Sequence, residues 1–132
     1  MDKKPDTTLS FPKEKINILF LEDIHPQAMA LLARHGYTQV AHIPKAIDPN
    51  ELLQRLPEVH VLGIRSRTKL TADVLQVANK LLTVGAFCIG TDQMDLAALQ
   101  EKGVAAFNSP YSSTRSVAEL TLGSCIHLMR RI

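Results

Sequence analysis

From about residue 15 onward, short apolar runs alternate with stretches of helical spacing, and this alternation predicts the elements. Ile16 to Leu21 (INILFL) reads as a buried strand. Pro26 suits the first turn of a helix, where an N–H is not needed, and Met29, Leu31, Leu32 and His35 follow at helical spacing until Gly36 stops it. Gln39 to His42 is a second, weaker strand. Asp48 caps a short helix with Pro49 at its first position and Leu52, Leu53 and Leu56 inward. Val59 to Ile64 (VHVLGI) is the third strand. Thr71 caps the next helix, with Val74, Leu75 and Ala78 on one face, and Leu81 to Ala86 (LLTVGA) is the fourth strand. Asp92 and Asp95 are spaced like a carboxylate capping arrangement ahead of Leu96, Ala97 and Leu99; Gly103 ends that helix and Val104 to Phe107 is the fifth strand.

Strands separated by helices imply parallel βαβ units with right-handed crossovers and helices on both faces. The expected fold is α/β: a flavodoxin-like five-stranded parallel sheet over residues 15–112, preceded by a mobile tail over residues 1–14. Residues 113–132 read as one long helix of about 30 Å. Its Val117, Leu120, Leu122, Cys125, Ile126, Leu128 and Met129 spread around much of the circumference, so it expects cover on several sides. A homo-oligomer is the expected assembly.

A chain of 132 residues has room for one domain with a real core. The formal charge of +2 is too small for a field that selects nucleic acid or an anionic membrane, and the absence of Trp weighs against base stacking. A small-molecule or protein partner is expected instead. Cys88 and Cys125 form no CxxC pair and sit near no His at metal spacing, so they read as reduced, buried thiols, with no metal site. The first fifteen residues lack the apolar stretch of a signal peptide, and no apolar run is long enough to span a bilayer. A cytoplasmic protein is expected.

Ligands of open parallel sheets bind beyond the carboxyl ends of the strands, which selects four loops. After the first strand, Glu22-Asp23 suggests a phospho-acceptor receiver, but the strand ends that should supply Asp and Lys offer Arg65-Ser66 and Asn108-Ser109. Without the acceptor carboxylate that chemistry lacks its nucleophile. Glu22 and Asp23 therefore read as solvated charges at a helix start. After the third strand comes Gly63-Ile64-Arg65-Ser66-Arg67-Thr68-Lys69. Residues two apart in an extended stretch point the same way, so Arg65 and Arg67 can converge on one ligand. Guanidinium forks suit carboxylate and phosphate, and Ser66 adds neutral donors. A surface loop with two solvated arginines is the equal alternative. The third loop, Gly85 to Asp95, reads as a tight turn and helix cap; no GxGxxG follows a strand anywhere. The fourth, Asn108 to Glu119, leads into the long helix through hydroxyls, with Ser116 and Glu119 at capping-box spacing and Ser113 with Ser116 a weaker version.

Taken in order, GIRSRT, CIGTDQMDL and GVAAFNSPYSSTRSVAEL resemble the D-isomer-specific 2-hydroxyacid dehydrogenases over nearly all of Ile16 to Arg130. Cys88 stands where many relatives have Gly, Gln93 where they have Asn, and Ser113 where Asn is common. The resemblance implies a substrate-binding domain running into a crossover helix towards a nucleotide-binding domain. It implies that Arg65 and Arg67 face the carboxylate and phosphate of a small anionic 2-hydroxy acid such as 3-phosphoglycerate, the substrate of a step in serine biosynthesis. Ser66 would lie beside them, Asn108 near the substrate and nicotinamide, and Lys45 would add positive charge. The family's catalytic Arg, Glu and His and its GxGxxG loop would fall after Ile132, so this chain is expected to hold no catalytic residue and no cofactor, NAD belonging to the longer enzyme. None of the five histidines takes the catalytic role: His25, His35 and His42 read as surface or helix-end residues, and His60 and His127 as lying within secondary structure. The other reading is a stand-alone module that binds a small anionic metabolite.

Overall fold

A computed structural model describes residues 11–131, so most of the expected tail lies outside the described residues. Lys13–Lys15 form a 3₁₀ turn, and Lys13 Nζ donates to the His35 carbonyl at 3.3 Å. The first strand, β1 (Ile18–Leu21), is buried at all four positions. It starts at Ile18 because Asn17 is engaged otherwise: its N–H donates to His60 Nδ1 at 3.1 Å and its amide to the Glu58 carbonyl at 2.9 Å.

The chain continues through α1 (Pro26–Arg34), β2 (Val40–Ile43), α2 (Pro49–Arg55), β3 (Val61–Ile64), α3 (Ala72–Gln76), β4 (Thr83–Ala86), α4 (Leu96–Glu101), β5 (Ala105–Asn108) and α5 (Thr114–Arg130). Local chemistry sets the boundaries as read from the residues. Asp48, Thr71 and Asp95 each accept a backbone N–H from the first turn of the helix they cap. Pro26 and Pro49 sit where no N–H is required, and Gly36 leaves α1 at φ +88°, a conformation a Cβ disfavours. Asp92 is not the cap of α4; Asp95 is.

All strand pairs are parallel, in the order β2-β1-β3-β4-β5. Alternate side chains divide the core. Leu19, Leu21, Leu62, Ile64, Val84 and Ala86 pack with Leu52, Leu75 and Leu99 from α2, α3 and α4 and with Leu56 from the 3₁₀ turn after α2. Ile18 and Phe20 turn to the other face and meet Ile24, Met29 and Leu32 of the α1 region. That second face has one helix over β1 and β2. Beyond it lies an apolar trough bordered by Phe20, Leu31, Gly63, Gly85, Phe87 and Phe107. Gly63 is required there, since a Cβ would run into the Phe20 ring and come within 3.1 Å of Phe87. The two rings meet edge to face at 5.5 Å.

The long helix expected from the residues forms as α5, and cover for its apolar positions is not found within the described residues. Every residue from Thr114 to Arg131 is exposed except Gly123, which is half-buried. Two local readings are corrected. Ser113 occupies the N-cap position of α5 without a side-chain hydrogen bond, and no capping box forms: Ser116 lies inside the helix, and Glu119 pairs with Arg115 at 2.7 Å. Cys125 is exposed on this uncovered helix rather than buried; both cysteines are free thiols.

Candidate anion-binding site

β1 leads through α1 to β2 on one side, while its other neighbour is β3, so the strand order reverses between β1 and β3. Loops diverge at such a point and leave a crevice at the strands' carboxyl ends. A pocket of about 150 Å³ lies there. It is lined by Glu22 and Asp23 after β1, Pro44 to Ala46 after β2, and Arg65, Ser66 and Arg67 after β3. Four of the five residues read as site candidates, Lys45, Arg65, Ser66 and Arg67, therefore share one cavity. Asn108 does not join them. It ends β5, two strands from β3, and its Nδ2 donates to the Ile89 carbonyl at 2.8 Å, beside a separate hollow with Phe87 and Phe107.

The loop after β3 does not continue the strand, so extended alternation is not what unites Arg65 and Arg67. The chain bends at Ser66. The bend is shaped by Glu22, which is only 5% exposed. Its Oε1 accepts the N–H groups of Arg65 (3.0 Å) and Thr68 (3.0 Å), and its Oε2 accepts that of Arg67 (3.1 Å). Glu22 is thus an internal ligand of the loop and not a solvated charge at a helix start; the cap of α1 is His25, whose Nδ1 accepts from Gln27 N–H at 3.2 Å. To reach inward, Glu22 adopts φ +67°, a left-handed conformation that costs a non-glycine residue roughly 1–2 kcal/mol. Three charge-assisted bonds outweigh that cost.

Two further residues complete the frame. Gln93, 5% exposed, donates from Nε2 to the Arg65 carbonyl at 3.0 Å and to the Gly90 carbonyl at 3.2 Å, tying the loop after β4 to the loop after β3. The residues alone gave no sign of this, because a lone polar residue in a turn looks like a capping element. His42 lies on β2, half-buried, not at the surface or a helix end; its Nε2 is 2.9 Å from the Glu22 carbonyl oxygen. Arg65 also reaches the Asp23 carbonyl from Nη1, at 3.3 Å. Arg65, Ser66, Arg67 and Lys45 remain exposed to solvent.

Burial pushes the Glu22 carboxyl up, but the N–H donors of Thr68, Arg67 and Arg65 outweigh it and hold the group below its ordinary 4.5. A carboxyl depressed in the folded state contributes stability that is present above the unfolded value and is lost as pH falls through the folded one. Stability is therefore expected to drop below pH 4.5, and Glu22→Gln should flatten that acid limb in urea titrations across pH. An unchanged limb would mean the carboxylate is not engaged as described.

A larger hollow of about 550 Å³ lies at the opposite end of the sheet, among Asn17, Gln39, Gln54 and Arg55. Its one cationic side chain, Arg55, is already paired with Glu51 at 2.9 Å. Among the described residues no group of three His, Cys, Asp or Glu is arranged to hold a metal ion, and no helix is long and apolar enough to cross a membrane.

The small pocket thus gathers three cationic side chains at a sheet switch point, an arrangement suited to carboxylate or phosphate. Known proteins resemble the chain as a whole. D-3-phosphoglycerate dehydrogenase of Haemophilus influenzae is 46% identical over 124 residues, covering 94% of this chain and 30% of that protein. The enzyme of the same name from Escherichia coli K12 is 43% identical with the same coverage. The chain spans about 30% of the length of these relatives. Among solved structures, a protein from Thermus thermophilus superposes with a TM-score of 0.77 at 24% identity, over 88% of this chain and 37% of that one. The NAD+-bound 3-phosphoglycerate dehydrogenase of Entamoeba histolytica gives 0.72 at 19%, over 85% and 39%; both show the shared fold. Residues 18–125 match the catalytic domain of the D-isomer specific 2-hydroxyacid dehydrogenases, and the chain belongs to that family.

Proposed function

We propose that this chain is the substrate-binding portion of an NAD-dependent D-3-phosphoglycerate dehydrogenase, holding a small anionic 2-hydroxy acid such as 3-phosphoglycerate. The observation that carries this reading is the convergence of Lys45, Arg65 and Arg67 on one pocket at the β1/β3 switch point. Guanidinium forks fix carboxylate or phosphate through paired bonds, Lys45 adds a point charge, and Ser66 adds a hydroxyl. Asn108, held against the Ile89 carbonyl, would meet the substrate only from the far side of the rim.

The residues present do not fit a dinucleotide. The β1–α1 turn carries the buried Glu22 where a phosphate-binding turn needs glycine, and α1 begins at Pro26, which has no N–H to offer. NAD and the acid–base chemistry would be supplied by residues outside this chain. A cytoplasmic homo-oligomer is the setting that two free thiols and an uncovered α5 support.

The 132-residue chain mixed with 3-phosphoglycerate and NAD is expected to produce no NADH absorbance, and calorimetry should detect no NAD binding. Sustained NADH production would contradict the assignment of the chain as a substrate-binding portion alone.

A further inference from the structure

Glu22 is a buried carboxylate beside a cationic pocket, and a negative charge there opposes any anion the pocket would hold. An arrangement that keeps it must use it for something else. Its two oxygens are both occupied by the loop after β3, taking the N–H groups of Arg65, Arg67 and Thr68 at 3.0, 3.1 and 3.0 Å. The Ser66 N–H is not among them. With three amides turned inward onto a fixed carboxylate, the bend is held, and the side chains of Arg65 and Arg67 both border the pocket. Thr68, 4% exposed, anchors the far end of the bend in the interior. Glu22 is itself fixed from behind, its N–H donating to the Lys45 carbonyl at 3.2 Å and its carbonyl lying 2.9 Å from His42 Nε2. One residue therefore ties together the three loops that line the pocket.

We propose that Glu22 is the positioning residue of the anion site: it fills the cradle of loop amides so that Arg65 and Arg67 face the ligand together. This rests on the anion-binding reading above. The proposal has a sign that electrostatics alone would reverse. Removing a carboxylate next to an anion site strengthens anion binding through charge alone. Losing the frame weakens it, because two flexible arginines must then be ordered by the ligand itself.

The test is Glu22→Gln in the full chain, with sulfate as the probe, followed by amide NMR. Expected are displaced Arg65, Arg67 and Thr68 amide signals with faster hydrogen exchange, and a sulfate Kd raised about tenfold or more, while circular dichroism keeps its helical content. Leu99→Ala, a core truncation distant from the pocket, loses stability and should leave those amide signals and the sulfate Kd in place. Should Glu22→Gln fail to fold, Glu22→Asp, which retains the charge one methylene shorter, gives the same readout with intermediate weakening. Sulfate binding as tight as the parent's or tighter overturns the positioning role while leaving the anion site standing. A parent chain that binds no sulfate, with amides still responding to Glu22→Gln, overturns the anion site and the positioning role together and leaves Glu22 as a structural clamp.

Discussion

Leu62→Ala is expected to lower the stability of this chain by about 2–5 kcal/mol, the range for truncating a leucine in a packed core. Leu62 sits on β3, the middle strand, and is fully buried in the larger core cluster between the sheet and α2, α3 and α4. Removing its methyls takes apolar atoms from a site with rigid neighbours on both sides, Leu19 across β1 and Val84 across β4. Those strands cannot close the gap without breaking register. Domains are stable by only about 5–15 kcal/mol, so the substitution removes a large part of the total. Urea unfolding should show a lower midpoint with an unchanged slope. Leu82→Ala, at a position 56% exposed, should stay within about 0.5 kcal/mol. A loss under about 1 kcal/mol at Leu62 would mean that the core collapses around the vacancy, against the packing described here.

The second large effect is expected on association. Leu120, Leu122, Leu128 and Met129 of α5 are 64–79% exposed, and the neighbouring β5 is exposed at all four positions. At about 100° per residue, the apolar positions of α5 cover well over half of its circumference. Such a surface is larger than isolated proteins ordinarily leave in water. Each large side chain buried between two copies contributes roughly 1.5–3 kcal/mol before association costs are subtracted. The 132-residue chain should therefore self-associate as its concentration rises, which sedimentation velocity would show. Leu128→Glu with Leu120→Glu should shift the distribution towards monomer. A parent chain that stays monomeric throughout, unaffected by these substitutions, would contradict this account of α5.

Much of this was legible in the residues because the relevant forces are local. Short apolar runs, caps at Asp48 and Thr71 and the stops at Gly36 and Gly103 act within a turn or two, and each does so in the structure. The need of α5 for cover was also readable, since its apolar positions spread over more of its circumference than one neighbouring face can bury. The candidate site was legible in part. Arg65, Ser66 and Arg67 could be found from chemistry and from their place after a strand, but the reason they converge could not. It depends on Glu22, 43 to 46 residues earlier in the chain, turning through a positive φ into the loop. A charged pair after a strand looks like the start of a helix until the neighbouring strand is known. Gln93 and His42 were missed for the same reason: their partners are backbone atoms of distant loops. Asn108 also ends a strand on the ligand side, but at the edge strand β5, so it does not line the arginine pocket.

Whether Arg65 and Arg67 form an anion site is decided by amide NMR titration with 3-phosphoglycerate. Amides from Gly63 to Thr68 should shift with millimolar affinity, a scale of about −4 kcal/mol. Each charge-assisted bond contributes about 1.5–3 kcal/mol, so Arg65→Ala with Arg67→Ala should carry binding beyond detection while the spectrum elsewhere keeps its folded dispersion. Shifts that persist in the double variant, or that fall among residues far from this loop, would contradict the assignment of the site.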